Sequence, residues 1–373
     1  MAFRTIVLIA LLSSSAQAQT FSSTADTPVE GGIQFKGLVT LDVNGKAVTK
    51  RFVIRVPGAG KRWNRSLVIG AHGGGGGDDY DRSGKVIGTD ETALDDVIGG
   101  YSLAAGFAYA SVDRDGIGGP REGLVLTYQF TEIAKAEVGR RMKRVPSRLY
   151  LVGLSAGGSI TRLAAEDGPR IYSGTLIIAG GGGDAPTRLD KTVKMAELWP
   201  LIDPRSHPGL LATDPNVRDY AEATGTPVEA RRLWPYSGSG AVAAAARQPT
   251  AGENSTAIVK VPTLEVVGTW DDLMIREVRA YARRAQQQGM HRLYQVEGVW
   301  HMSGDDDGVM SFEYIAESRM KLPKDVADAM AEGPSYLPTV REAFDHLVQW
   351  VEKGTEPPPS KTVKPGEPLS PRK

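Results

Sequence analysis

Residues 149–166 read LYLVGLSAGGSITRLAAE, in which an apolar run leads into a serine flanked by glycines and then into a second apolar stretch. The segment 149–153 has the composition of a buried strand, and 159–166 has the apolar spacing of a helix. Between them, Gly153-Leu154-Ser155-Ala156-Gly157 has the form G-x-S-x-G. A strand–turn–helix connection with this motif exposes the serine hydroxyl, and the helix N-terminus favours negative charge beside it. The stretch therefore predicts that Ser155 is a nucleophile.

Around this stretch, short apolar and β-branched runs alternate with helical ones, which is typical of a largely parallel sheet covered by helices. The predicted strands are residues 34–43, 51–56, 66–71, 107–112, 149–153, 175–179, 263–267 and 292–296. The predicted helices are residues 91–105, 124–143, 159–166, 273–288 and 340–352. We expect an α/β protein with a mostly parallel, eight-stranded sheet flanked by helices.

The sixth and seventh predicted strands are separated by residues 184–260, which contain many prolines and the aromatic residues Trp199, Trp234 and Tyr236. A structureless loop of that length is uncommon inside a compact domain. We therefore predict an inserted cap at 184–260, which divides the core into residues 19–183 and 261–354.

The two ends differ from the core. Residues 1–18 combine Arg4, an apolar run at 6–12 and Ala16-Gln17-Ala18, which is the pattern of a cleavable signal peptide. The apolar run is too short to span a bilayer, so the mature protein is expected to be secreted or periplasmic. Residues 355–373 are rich in proline and charge and are expected to form a disordered tail.

Composition excludes several classes of function. Basic and acidic residues number 44 each, so the formal net charge is zero and a large nucleic-acid footprint is not expected. The mean hydropathy of −0.24 excludes a membrane-embedded chain. The absence of cysteine excludes disulfides, thiolate metal sites and a cysteine nucleophile. We expect no metal, no organic cofactor, and neither nucleic acid nor membrane as a partner.

A serine nucleophile needs a general base, and the chain contains five histidines. Four of them are less suitable: His72 begins a glycine run, His207 lies in the cap, His291 precedes the eighth strand, and His346 lies in a helical pattern. His301 follows the eighth strand by a few residues, which places it at the same edge of the sheet as the motif serine. We therefore predict that His301 is the base.

The base in turn needs a carboxylate that fixes its tautomer. The segment Gly268-Thr269-Trp270-Asp271-Asp272 follows the seventh strand, and either Asp271 or Asp272 can supply that carboxylate. The resulting chain order is serine, aspartate, histidine, which differs from the orders in chymotrypsin and subtilisin.

A glycine run at residues 72–77, HGGGGG, directly follows the third strand. A glycine-rich turn at that place can direct backbone N–H groups at the oxyanion of an acyl-transfer reaction. The alternative is a phosphate-binding loop. It is disfavoured because no G-K-[ST] follows and no dinucleotide-binding fingerprint is present.

These motifs together resemble those of secreted esterases with the α/β-hydrolase fold, over about residues 35–352 with the cap unmatched. The segment 130–183, with AKAEVG, YLVGLSAGG and AAEDGPRIYSG, is also similar to tannase/feruloyl esterase and polyhydroxyalkanoate depolymerase relatives, many of which carry cysteines that this chain lacks. The resemblance implies a G-x-x-D acid, matched here by Gly268 and Asp271, so Asp271 is preferred. It also implies the oxyanion donors, which are the amides of Ala156, Gly74 and Gly75.

Three further features allow two interpretations each. Trp270 and Trp300 each precede a predicted triad residue, and they either line the substrate pocket or belong to the core. Arg114, after the fourth strand, either meets a carboxylate on the substrate or, as we favour, joins an internal ion pair. The run 305–307 is three aspartates; it lacks the full spacing of a calcium loop and is better explained as a solvated acidic segment.

The sequence thus predicts an exported serine hydrolase that cleaves a small-molecule or oligomeric carboxylic ester through an acyl-enzyme. The same triad could act on a peptide or amide bond or on the carbon–carbon bond of a β-diketone, because all these reactions pass through an oxyanion. A catalytically inactive binding protein with the same fold is the third alternative. Acyl and alcohol specificity and the oligomeric state are left open.

Overall fold

The computed structural model describes residues 21–73, 79–80, 86–88, 91, 94–167, 171–181, 255–269, 271, 274–299 and 334–370. Within these residues, eleven strands form one sheet and two short strands form a separate hairpin. The strands are β1 (Phe21–Ser23), β2 (Thr27–Val29), β3 (Gly32–Val43), β4 (Lys46–Pro57), β5 (Ser66–Ala71), β6 (Asp79–Tyr80), β7 (Val86–Gly88), β8 (Ala108–Val112), β9 (Arg148–Leu154), β10 (Gly174–Ile178), β11 (Thr263–Gly268), β12 (His291–Val296) and β13 (Lys361–Val363). The α-helices are α1 (Gly100–Ala104), α2 (Pro120–Met142), α3 (Ala156–Glu166), α4 (Ile275–Ala285) and α5 (Leu337–Lys353).

The order across the large sheet is β1-β3-β4-β8-β5-β9-β10-β11-β12-β13, with β2 paired to β3. All neighbouring pairs from β8 to β13 are parallel. The pairs that involve β1, β2, β3 and β4 are antiparallel. The eight predicted strands correspond to β3, β4, β5, β8, β9, β10, β11 and β12, so the predicted α/β class and mostly parallel sheet are confirmed.

Alternation of side chains across the sheet explains why two hydrophobic layers form. In β9, Leu149 and Leu151 belong to one buried cluster, whereas Tyr150 and Val152 belong to the other. Successive residues of a strand point to opposite faces, so an apolar strand of this kind has to be covered on both sides. Helices α2 and α3 cover the first face and α5 covers the second.

The C-terminal segment differs from the expected disordered tail at residues 355–373. Residues 361–363 form β13, which pairs in parallel with β12. Val363 and Leu369 are each 1% exposed, and the backbone N–H groups of residues 369 and 370 donate to the carboxylate of Glu342. Proline is tolerated beside an edge strand, and two buried apolar side chains are enough to anchor this segment, although its composition is typical of disorder.

The other predicted boundaries lie mostly outside the described residues. Residues 1–18, predicted to be a signal peptide, are outside them, as is the predicted cap at 184–260 except for 255–260. Among the described helices, none combines the length and apolarity that crossing a membrane requires.

Candidate active site

Ser155 lies at the turn between β9 and α3, directly before the first residue of the helix. Its backbone has φ +54° and ψ −116°, a region that non-glycine residues rarely adopt. The turn is held by hydrogen bonds on both sides, because Ser155 N–H donates to Ile178 O at 2.9 Å and Ser159 N–H donates to Ser155 O at 3.0 Å. The predicted strand–turn–helix setting of the G-x-S-x-G motif is therefore present.

The two glycines of the motif are required by close backbone contacts. A Cβ on Gly153 would lie 2.2 Å from the carbonyl oxygen of Gly157, and a Cβ on Gly157 would lie 1.8 Å from the carbonyl oxygen of Ala71. The first turn of α3 consequently packs directly on the end of β5. This brings the segment after β5 next to the serine, since a Cβ on Gly73 would lie 3.4 Å from Ser155 Cβ.

Asp271 follows β11 and is completely buried. Its carboxylate oxygen Oδ1 accepts the N–H of Met274 at 3.0 Å, and its backbone carbonyl accepts the N–H of Ile275 at 2.8 Å. The carboxylate is thus fixed at the start of α4. Because β9 and β11 are both parallel neighbours of β10, Asp271 and Ser155 lie at the same edge of the sheet.

Hydrogen bonds join the segment that precedes the predicted base to the segment that precedes Asp271. Gly298 N–H donates to Thr269 Oγ1 at 3.0 Å, and Thr269 N–H donates to Val296 O at 2.9 Å. These bonds join the segments after β11 and β12 at the catalytic edge. The predicted residues His301, Asp272, Trp270, Trp300, Gly74 and Gly75 lie outside the described residues.

Three other histidines fall within the described part of the chain, and the ring of each contacts another group. His72 uses both ring nitrogens in backbone hydrogen bonds. His291 is buried at the start of β12, at the opposite edge, with Nε2 3.0 Å from Glu265 Oε2. His346 Nε2 contacts Ser370 Oγ at 3.2 Å. The assignment of His301 as the base stays a prediction.

Arg114 has a role that neither sequence interpretation included. Its guanidinium group donates from Nη2 to the carbonyl oxygens of His72 and, at 3.1 Å, Gly73. Its backbone N–H donates to His72 Nε2 at 2.9 Å. These contacts are to the backbone beside the glycine run, and the ion pair favoured from the sequence stays a prediction.

The pKa of His72 is lowered to about 3 by burial and by the nearby positive charge of Arg114. The ring is accordingly neutral at ordinary pH. Since Nε2 accepts from Arg114 N–H, the proton is on Nδ1, which donates to the carbonyl of Gly73 at 2.8 Å.

A buried charged cluster, not found from the sequence, involves α3, the helix that follows Ser155. Arg162 of α3 is 1% exposed and donates to Glu265 of β11, whose other carboxylate oxygen faces His291. The guanidinium group also lies 4.0 Å from the ring centroid of Tyr281. Although burial alone raises it, the pKa of Glu265 is held below its ordinary value by Arg162 and His291.

The same helix contacts the chain on both sides of the segment 182–254. Arg162 donates to the carbonyls of Gly181, at 2.6 Å, and Gly180, at 3.1 Å. One turn later, Glu166 accepts the Ser255 hydroxyl and the Thr256 N–H, each at 2.7 Å. The sequence signal for this arrangement was available, because Arg162 and Glu265 interrupt the apolar runs ITRLAAE and TLEVV, and His291 begins the strand HRLYQV.

The described residues contain no cluster of three or more His, Asp or Glu side chains that could hold a metal ion. The acidic run 305–307 lies outside them.

Comparisons with known proteins agree with this geometry. Vibralactone cyclase superposes with a TM-score of 0.50 at 15% identity, over 87% of this chain and 83% of that one. An esterase from Aspergillus oryzae superposes with a TM-score of 0.50 at 14% identity, over 87% and 81%. At such identities the likeness shows the fold alone. No curated protein matches the sequence.

The match to a family is more specific. Residues 141–367, more than half of the chain, fit the model of the alpha/beta hydrolase domain. This match does not test the narrower resemblance to tannase and polyhydroxyalkanoate depolymerase relatives, which stays a prediction. This match shows that the chain belongs to the alpha/beta hydrolase domain family, and the turn at Ser155 and the fixed carboxylate of Asp271 agree with it.

Proposed function

We propose that this protein is a serine hydrolase that cleaves carboxylic esters through an acyl-enzyme intermediate. The observation that carries the proposal is the backbone of Ser155, at φ +54° and ψ −116°, before the N-terminus of α3. Strain of this kind costs of order 1–3 kcal/mol and gathers at functional sites, where the surrounding structure imposes it. Membership of a hydrolase family supports the same assignment.

In the proposed first step, Ser155 Oγ attacks the ester carbonyl carbon while His301 takes the hydroxyl proton. The carbonyl electrons move to oxygen, and the amides of Ala156, Gly74 and Gly75 stabilise the oxyanion. The intermediate collapses, and the alcohol leaves with the proton from His301. Water then repeats the sequence on the acyl-enzyme, which releases the acid and restores Ser155.

Asp271 is proposed as the acid that orients His301. Its burial and its bond from Met274 N–H fix the carboxylate before any substrate arrives. Such a carboxylate stabilises the imidazolium that forms during proton transfer. The hydrogen bond between Thr269 and Gly298 supports a fixed distance between the acid segment and the base segment.

The substrate is proposed to be a small-molecule or oligomeric ester, with Trp270 and Trp300 beside the acyl or alcohol group. Both residues flank predicted triad members in the sequence.

Export with removal of residues 1–18 is proposed as well. N-terminal sequencing of the protein recovered from the periplasm would test it, with Gln19 as the expected first residue.

The proposed activity is tested by labelling the purified protein with a fluorophosphonate and locating the adduct by intact mass and peptide mapping. We expect one adduct, on Ser155, and none in Ser155→Ala, whose circular dichroism and melting temperature stay close to wild type. An unlabelled wild-type protein, or equal labelling of the alanine variant, would contradict the proposal.

Kinetic measurements test which aspartate orients the base and which kind of bond the protein cleaves. Asp271→Asn is expected to lower kcat by about 10³–10⁴-fold, whereas Asp272→Asn should have a much smaller effect. The reverse order would assign Asp272.

Hydrolysis of an aryl ester without hydrolysis of the corresponding anilide is expected, and faster anilide cleavage would move the assignment to an amidase.

A further inference from the structure

Arg114 and His72 bracket the backbone that enters the glycine run. The Arg114 guanidinium group donates to the carbonyls of His72 and Gly73, and the Arg114 N–H donates to His72 Nε2. The His72 ring closes the arrangement by donating from Nδ1 to the carbonyl of Gly73. The carbonyl of Gly73 therefore accepts hydrogen bonds from both side chains, and the carbonyl of His72 accepts one from Arg114.

This bracket has a geometric consequence for the amides. In a trans peptide the carbonyl and the N–H point in opposite directions. Because the carbonyl of His72 is turned towards Arg114, the N–H group of Gly73, which lies in the same peptide plane, is turned away from it. Gly73 itself is in contact with the nucleophile, since an added Cβ would meet Ser155 Cβ at 3.4 Å and Ser155 Oγ at 4.0 Å.

We propose that Arg114 is a positioning residue for the oxyanion hole: with His72 it fixes the two carbonyls and so aims the N–H group of Gly73 at the oxyanion. This inference rests on the proposed function. Five successive glycines have little conformational preference of their own, so an external support is needed to keep such amides preorganised.

The alternative role, recognition of a substrate carboxylate by Arg114, fits the contacts less well. Nη2 is committed to two backbone carbonyls, and the side chain is half-buried. The planar guanidinium fork can bridge two acceptors, whereas a lysine ammonium group acts as a single point charge. Arg114→Lys therefore separates geometry from charge.

The kinetic test compares wild type, Arg114→Lys and Arg114→Ala on p-nitrophenyl acetate. We expect kcat and the rate of fluorophosphonate labelling to fall about 10–100-fold in both variants, with KM within about threefold, as for a lost oxyanion contact. Low millimolar guanidinium should restore part of the kcat of Arg114→Ala and leave Arg114→Lys unchanged. The matched control is Arg121→Ala, which removes an exposed arginine paired with Asp167 at 3.4 Å and should behave as wild type.

Three results would overturn the inference. The first is an unchanged kcat in Arg114→Lys. The second is a raised KM with unchanged kcat in Arg114→Ala, which would indicate contact with substrate. A loss of melting temperature without rescue by guanidinium would assign Arg114 a merely structural role and would also overturn it.

A second measurement needs no turnover. Nitrogen-15 NMR of the histidine rings, assigned with His72→Gln, should show a neutral Nδ1–H tautomer for His72 that does not change from pH 5 to 8. In Arg114→Ala the pKa of the His72 ring should rise, because the positive charge of Arg114 contributes to lowering it after burial. A pKa of His72 that is the same in wild type and variant would contradict the contact between the guanidinium group and this turn. A wild-type protein that fails to label at Ser155 would overturn the proposed function, and the NMR result would still decide whether Arg114 holds this turn.

Discussion

Gly157 shows how strongly a single missing side chain constrains the site. A Cβ at this position would lie 1.8 Å from Ala71 O and 2.5 Å from His72 O, both of which are backbone atoms. Gly157→Ala must therefore displace α3 from β5 and disturb the turn at Ser155. We expect a loss of about 2–3 kcal/mol in the free energy of unfolding, measured with urea, together with loss of fluorophosphonate labelling.

Gly139→Ala is the matched control, because Gly139 is also a glycine within a helix, α2. An added Cβ there would meet its nearest atom, Val145 Cα, at 3.4 Å. The substitution should be neutral or stabilise the protein by up to about 1 kcal/mol, as helix propensity predicts. Equal destabilisation by the two substitutions would contradict the steric explanation.

His72 gives the protein a pH-dependent stability of known sign. Its pKa is about 3 in the folded protein, from burial first and Arg114 second, against an ordinary value of 6.5. Between these values the unfolded chain binds a proton that the folded protein does not, so stability falls as pH decreases from about 6.5 towards 3. The steepest slope is about 1.4 kcal/mol per pH unit.

The check is urea unfolding of wild type and His72→Gln from pH 4.5 to 8. Glutamine cannot titrate but keeps an acceptor for the Arg114 N–H. The difference in unfolding free energy should shift in favour of wild type as pH rises to about 7 and then stay constant. A difference that is independent of pH would show that His72 titrates alike in both states.

At this scale the sequence predicted the turn that carries Ser155, because a local motif determines it. The role of Arg114 could not be predicted in the same way. Its acceptors are two carbonyls about forty residues away, and which carbonyl turns towards a guanidinium group depends on the path of a glycine loop. The charge of Arg114 suggested an ion pair, and it gave no indication of the two backbone acceptors.

At the scale of the element, α3 connects the nucleophile with the charged cluster behind it. Arg162 and Glu265 are both almost fully buried, and Glu265 also faces His291. Glu265→Gln keeps the volume but leaves the Arg162 charge without its counter-charge. We expect the free energy of unfolding to fall by about 3–5 kcal/mol, measured by urea titration.

Glu132→Gln is the control for that substitution. Glu132 is 57% exposed and pairs with Lys135 on the same helix at 3.3 Å. An exposed pair of this kind contributes at most about 0.5 kcal/mol, so its loss should hardly change the unfolding curve. If the two substitutions cost the same, the cluster is not a major source of stability.

Elements with strong periodicity could be predicted, and the short edge strands could not. The eight predicted strands were recognisable because buried parallel strands are apolar nearly throughout. The three extra strands of the sheet have three residues each and include exposed or proline-containing segments. Their pairing depends on partners elsewhere in the chain, which local composition does not reveal.

For the whole molecule, the C-terminal segment is part of the sheet and contributes to its stability. Truncation after Gly354 would remove β13 and Leu369 and leave the outer edge of β12 unpaired. Loss of two buried apolar side chains costs about 1.5–3 kcal/mol each, and a bare edge promotes association between sheets. We expect a lower melting temperature and aggregation that increases with concentration, measured by calorimetry and light scattering.

Truncation after Ser370 is the control, because it keeps every described residue of this segment. It should melt and scatter light as the full chain does. If the shorter truncation product were equally stable, the segment would be dispensable despite its pairing with β12.

The position of β9 in the sheet has a mechanical consequence. Five strands lie on one side of it along the sheet and four on the other, while the outermost places belong to β1 and β13, near the two ends of the described chain. A force applied between those ends therefore loads the three-residue edge strands first. In an optical trap we expect the edge strands to detach first and β9, the strand directly before Ser155, to unfold among the last.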